Sequence, residues 1–214
     1  VALLPGSRNS EVDHHLSILV HTVERMKKKN PRLRFIMPIA NTLNIENIRK
    51  KWEGIEASRA HTAIEFLAGE AYPVLLAADV AAVSSGTATL EAALAGVPTV
   101  VIYRLNPVTY FFGRLLVNVP YVGLVNLVAG REVAPELIQN ELTPKNLATN
   151  LEGLLEDKER KEKAISGLSI VRDRLGSAGA SERAAKILHG MVEKKNIEIG
   201  NTGWQQQKIQ LEHN

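Results

Sequence analysis

The chain has no cysteine at all. Disulfides, thiolate nucleophiles and cysteine-ligated metals are excluded, and a reducing compartment fits. No run approaches the roughly 18 apolar residues that would span a bilayer. The opening strand pattern lacks the charged n-region of a signal peptide, so any relation to a membrane is expected to be peripheral. Net charge is only +3, too weak to imply nucleic acid, and none is expected as a partner. Gly-x-Ser-x-Gly is missing, which removes support for serine hydrolysis. The Gly-Lys-Ser/Thr ending of a P-loop and the dinucleotide Gly-x-Gly-x-x-Gly are missing too. His14 and His15 are adjacent while His21, His61, His189 and His213 are scattered. That is no metal signature, and neither a metal nor a cofactor is expected. No pair of carboxylates is spaced for acid–base work.

What remains is an α/β alternation. The 214 residues, 45% hydrophobic and 23% charged, suffice for one soluble domain with a core. Short apolar runs at Val1–Leu4, Leu33–Ile39, Thr62–Leu67, Val80–Val83 and Thr99–Tyr103 read as strands, the last two buried. Between them, helices are expected at Glu11–Lys28 (capped by Ser10), Ile45–Trp52 (closed by Gly54), Ala71–Ala77 and Ala88–Ala95. Near-continuous apolar strands between helices predict a three-layer α/β sandwich around a parallel sheet. Beyond Tyr103 the pattern loosens. It reads as a strand at Tyr121–Leu124, a loop at Asn126–Arg131 and a helical turn at Pro135–Ile138. Helices follow at Pro144–Leu155, Lys158–Leu175 and Ser181–Val192, the last with Ile187, Leu188 and Met191 turned inward. Residues 1–140 are expected to form the ligand-binding domain, 141–195 its helical extension and 196–214 a polar, frayed tail. The chain opens at Val1, directly in this machinery, and is expected to be a piece of a longer enzyme.

Two glycine-rich elbows carry the chemistry. The first strand ends in Pro5-Gly6-Ser7-Arg8, and the fourth in Ser84-Ser85-Gly86-Thr87-Ala88-Thr89-Leu90-Glu91. Ligands of α/β sheets bind at the carboxyl ends of strands, so together the elbows read as a nucleotide-sugar site. Gly6 would let backbone approach a diphosphate and Arg8 would neutralise it, with N–H groups of the following helix helping. Alternatively, Gly6 only makes a tight turn and Arg8 a surface ion pair. In the second elbow, small hydroxyls and free N–H groups suit phosphate oxygens. Glu91 either grips two vicinal ribose hydroxyls or compensates the helix dipole.

Other candidates are weaker. Tyr103 and Arg104 end a strand facing the elbows, and Asn126 could hydrogen-bond a sugar or phosphate. Segment 24–34 sets six Lys and Arg against Glu24. It is either a solvated helix end or a patch for phosphates or anionic lipid headgroups. The Tyr110–Leu116 cluster is either core or an apolar lip for an acyl chain. His61 could reach the site edge or could be an ordinary surface histidine.

With these segments in place, the chain resembles the lipid-A-disaccharide synthase family. The resemblance rests on Leu3-Leu4-Pro5-Gly6-Ser7-Arg8 with Glu11-Val12, Ser85–Glu91, Tyr103-Arg104 with Asn106-Pro107, and Pro120–Leu127. Gly130-Arg131-Glu132, Pro135-Glu136-Leu137, Leu175-Gly176 and Ala184-Ala185 continue it. It spans roughly residues 1–192. It implies a Rossmann-like domain, the C-terminal half of a GT-B-type, inverting, metal-independent glycosyltransferase. Such enzymes transfer 2,3-diacylglucosamine from UDP to 2,3-diacylglucosamine 1-phosphate, giving a β-1,6-linked disaccharide. They work peripherally at the cytoplasmic face of a Gram-negative inner membrane.

The resemblance assigns Arg8 to the donor diphosphate region, where Gly6 and Ser7 join it from the reading of the turn. It assigns Ser85, Gly86, Thr87 and Glu91 to the UDP-sugar pocket and Asn126 to a polar group near it; Thr89, Tyr103 and Arg104 are added from their places in the elbow and at the strand end. Arg8 and Asn126 are the candidate catalytic groups. The family's acceptor groove and proposed aspartate base have no counterpart here, and neither Asp13 nor Asp79 replaces that base. In some members the last helices brace the other half or exchange between subunits of a homodimer. Without that partner, apolar area would be exposed. A nucleotide-sugar epimerase, another UDP-sugar transferase, and a non-catalytic nucleotide-sugar or interaction module are the competing readings, since fold alone does not choose.

Overall fold

The computed structural model describes residues 1–55, 64–69, 71–105 and 120–192. Two units are distinct, Val1–Leu175 and Gly176–Asn214. In the first, β1 (Ala2–Leu4), β2 (Phe35–Ile39), β3 (Ile64–Ala68), β4 (Ala81–Ser84), β5 (Thr99–Tyr103) and β6 (Glu136–Ile138) form one sheet in the order β3-β2-β1-β4-β5-β6. Every pairing is parallel. The order reverses between β1 and β4, which opens a crevice at their carboxyl ends. The expected α/β sandwich, Rossmann-like in strand order, is therefore present.

Strand side chains alternate between two covers, as the period of two requires. Leu3, Ala82, Val100 and Ile102 face α1 (Asn9–Lys29), α2 (Ile45–Ile55) and α6 (Pro144–Glu156) in one core cluster. Ala2, Leu4, Ala81 and Val83 face α3 (Ala71–Leu76) and α4 (Ala88–Ala95) on the other side. A third cluster joins Ala93 and Val101 to Val125 of α5 (Leu124–Ala129) and to Leu168 and Val171 of α7 (Lys158–Leu175).

Several boundaries differ from the sequence expectation. Helix α1 starts at Asn9, so Ser10 lies in its first turn and caps nothing. Helix α2 runs through Gly54 to Ile55. The segment expected as strand and then loop contains α5, ended by Gly130 in the left-handed region at φ 66°. The expected turn at Pro135–Ile138 is instead β6, where the Pro135 carbonyl accepts the Val101 N–H at 2.8 Å. A proline is tolerated there because the edge strand needs no N–H at its start.

In the second unit, residues 180–192 are helical. The side chains expected inward are exposed: Ile187, Leu188 and Met191 are each more than 60% accessible. That matches the exposed apolar area the family resemblance implied. The Tyr110–Leu116 cluster, Asn106-Pro107, His61 and the tail from 196 lie outside the described residues.

Candidate functional site

Both elbows open into one cleft of about 660 Å³. Gly6, Ser7 and Arg8 leave β1 on one wall; Ser84, Ser85, Gly86 and Thr87 leave β4 on the other, with Glu91 above them. The cleft sits at the reversal point of the sheet, where strand ends diverge and leave room for a ligand. Gly6 has φ 119° and Gly86 φ 154°. Gly6 is thus in a region that side-chain-bearing residues avoid.

The first turn is organised by Glu11. Its Oε2 accepts the Ser7 N–H and its Oε1 accepts Arg8 Nη1, each at 3.0 Å. This is a variant of the capping box, in which a third-position glutamate reaches back over the helix start. Arg8 is otherwise largely exposed. In the second elbow, Ser85 Oγ donates to the Val122 carbonyl at 2.9 Å. Thr89 is fully buried and its hydroxyl donates to the Gly86 carbonyl at 2.7 Å, so it shapes the turn from inside. Ser84 is 4% exposed and lines the cleft, yet its Oγ has no hydrogen-bond partner among the described residues. A buried hydroxyl left so is costly unless a ligand or water completes it. The sequence places Ser84 among the small hydroxyls of the elbow expected to suit phosphate oxygens, with nothing to set it apart from its neighbours.

Asn126 and the end of β5 stand outside the cleft lining. Asn126 is completely buried. Its Nδ2 donates to the Ala134 carbonyl at 2.7 Å and to Glu136 Oε1 at 2.8 Å. Its Oδ1 accepts the Val133 and Ala134 N–H groups at 2.8 and 3.0 Å. Glu136 in turn accepts the Val122 and Gly123 N–H groups. A continuous network therefore runs from Asn126 through Glu136 and Val122 to Ser85. Tyr103 is half-buried; burial, then the Glu11 carboxylate, raise its phenol above the ordinary value while Arg8 pulls the other way. It stays neutral near pH 7.

His15 is the polar residue that sequence reading passed over. It is fully buried on α1. One ring nitrogen, Nε2, accepts the Arg104 N–H at 3.0 Å, and Nδ1 lies 2.8 Å from the Pro5 carbonyl. An N–H donor on one side and a carbonyl on the other fix the neutral Nδ1–H tautomer. The ring thus ties the exit of β1 to the exit of β5 across the end of β4. Its adjacency to His14, read only as an absent metal pattern, hid this; its place on the apolar stripe of α1 was the usable signal.

Burial holds the His15 pKa below the ordinary imidazole value, outweighing its hydrogen bond to Pro5. The unfolded chain then binds the proton more readily, so stability should be full above about pH 6.5 and fall as pH drops below it. Urea midpoints measured from pH 7.5 to 5 should decline for the parent. The part of the decline due to His15 should vanish in His15→Gln; identical slopes would refute the assignment.

Segment 24–34 ends α1 at the opposite end of the sheet from the cleft. A 21-residue helix is about 30 Å long at 1.5 Å per residue. Of its cations, Lys29 pairs with Glu152 and Glu156 of α6. The basic run is thus no part of the cleft. Among the described residues, no group of three or more His, Asp or Glu could hold a metal ion.

The Rossmann-like fold, with a cleft at its reversal point, is that of one half of a GT-B glycosyltransferase. The pneumococcal O-GlcNAc transferase GtfA, solved in complex with UDP and GlcNAc, shares it with a TM-score of 0.58 at 14% identity, covering 90% of this chain and 35% of that one. The family is set by sequence: the lipid-A-disaccharide synthetase model matches residues 1–188, and the chain belongs to that family. Similar proteins include the lipid-A-disaccharide synthases of Syntrophus aciditrophicus, 39% identical over 92% of this chain and 50% of the relative, and of Myxococcus xanthus, 40% identical over 87% and 47%. The chain thus spans about half the length of the curated relatives it matches.

Proposed function

We propose that the chain is the donor-binding, C-terminal half of a lipid-A-disaccharide synthase. The whole protein would transfer 2,3-diacylglucosamine from UDP to the 6-hydroxyl of 2,3-diacylglucosamine 1-phosphate. The observation that carries this reading is the single cleft uniting Gly6-Ser7-Arg8 with Ser84–Thr87 and Glu91. Arg8 and the N–H groups of the two turns would take the charge that grows on the departing UDP as the glycosidic C–O bond breaks. Glu91 would hold the ribose diol. Asn126 would act at one remove, by fixing the Val122 loop that holds Ser85. Tyr103 and Arg104, at the end of β5 and outside the cleft lining, would act only from its edge.

The acceptor groove and the base that removes the hydroxyl proton are assigned to the other half. Asp13 is engaged by Lys51, and Asp79 lies at the opposite end of β4 from the cleft. Residues 1–140 would be the donor domain, 141–195 its helical extension and 196–214 a tail. No helix among the described residues is long and apolar enough to cross a membrane. Contact with the inner membrane would be peripheral, through the 24–34 run or the Tyr110–Leu116 segment. The exposed face of 180–192 suits exchange of C-terminal helices in a homodimer.

Disaccharide formation from the diacylated UDP-sugar and the phosphorylated lipid acceptor tests this. The full-length protein should turn over with or without chelator, and this chain alone should not. Turnover by this chain at the full-length rate would overturn the divided site. Loss of full-length turnover on chelation would overturn the metal-free mechanism.

A further inference from the structure

Two of the donors that the first turn would offer a diphosphate are already engaged by the chain itself. Glu11 takes the Ser7 N–H with one carboxylate oxygen and Arg8 Nη1 with the other. It lines the cleft, and its side chain is only 13% exposed against 78% for Arg8. The missing side chain of Gly6 has the same cause. A Cβ there would collide with Glu11 Oε2 and stand 2.8 Å from Glu11 Cβ. The vacancy expected to admit a diphosphate admits a carboxylate.

We infer that Glu11 is an internal counter-anion of the donor site, which keeps the Gly6-Ser7-Arg8 turn ordered while the cleft is empty and yields Arg8 to the ligand's diphosphate. The inference rests on the reading of this cleft as a diphosphate site. A carboxylate and a phosphate oxygen want the same donors, and two anions on one guanidinium repel. Arg8, largely in solvent, is free to swing; Glu11, packed under Gly6, is not. Exchange therefore favours a multiply charged ligand, which outcompetes one fixed carboxylate, over a singly charged one. Glu11 in this way sets which anions the cleft retains.

Calorimetry with UDP, inorganic pyrophosphate and uridine tests it on the parent, Glu11→Gln, Arg8→Ala and the double variant. Glutamine serves the same helix-start position, still accepts the Ser7 N–H and fits the Gly6 vacancy. Freeing Arg8 from a mostly solvated ion pair should tighten UDP and pyrophosphate by about two- to fivefold, with uridine unchanged. The gain should vanish when Arg8 is alanine. Unchanged or weaker pyrophosphate binding by Glu11→Gln would overturn the inference, as would a gain that survives loss of Arg8. Parental UDP binding no tighter than pyrophosphate would instead sink the nucleotide reading and leave the role of Glu11 standing.

Discussion

Arg8→Ala is expected to weaken UDP binding by about tenfold, near the low end for a charge-assisted hydrogen bond, while leaving uridine within about twofold. The difference isolates the diphosphate, which only UDP carries. Two effects add in this variant. The guanidinium contact is lost, and the Glu11 carboxylate, now without its cation, faces the incoming phosphates. Side-chain exposure of 78% for Arg8 keeps the estimate modest, because solvent screens the contact. Equal loss for UDP and uridine in calorimetry would remove Arg8 from the diphosphate. The same titrations with Glu91→Gln should narrow the preference for UDP over 2′-deoxy-UDP; an unchanged preference would leave Glu91 with the helix dipole alone.

The largest loss of stability is expected from Asn126→Ala. The substitution strands the buried N–H and carbonyl of Ala134, the half-buried Val133 N–H and one edge of the Glu136 carboxylate. Each unsatisfied buried group costs roughly 1–3 kcal/mol, and partial relaxation brings the sum to about 3 kcal/mol. For a domain of this size that lowers the melting temperature by about 6–12 °C. The folded fraction should also bind UDP more weakly, because Val122 no longer holds the Ser85 hydroxyl in place. A normal melting temperature with lost UDP affinity would show Asn126 acting directly on the ligand, against its present bonding.

The strands around the cleft were legible because a buried parallel strand is a continuous apolar run, and the runs of β1 and β4 each end in a glycine-containing turn. The elbows could be paired from sequence since the carboxyl ends of parallel strands lie on one edge. What could not be read is which donors the chain keeps for itself. Glu11 looks like any first-turn acid until its carboxylate is seen beneath Gly6. Leu124–Ala129 misled because six residues, with leucine–valine pairs on either side of Asn126, carry too little periodicity to mark a helix. Its start is fixed by tertiary bonds: Glu136 accepts the Val122 and Gly123 N–H groups that lead into it, from 14 and 13 residues away. Asn126 was singled out correctly as unusual, but a buried amide with four partners and an amide awaiting a sugar look alike in one dimension.

The second elbow owes its position to two methyl groups. Ala92 and Ala93 are fully buried, one against the sheet core and the other against the cluster shared with α5 and α7. Leu90 packs beside Ala93 against that second cluster, so α4 meets its neighbours through mostly small side chains. Its far end is pinned as well: Gly96 turns the chain at φ 72°, with Arg172 Nη2 3.1 Å from where a Cβ would be. The helix behaves as a short lever with its fulcrum at those alanines and its free end at Gly86-Thr87. An added methyl at Ala92 or Ala93, both fully buried, is expected to shift the helix, and with it the Gly86-Thr87 turn, without touching the cleft. If the cleft holds the donor, its affinity should respond to interior substitutions at Ala92 or Ala93 as well as to changes in the cleft itself.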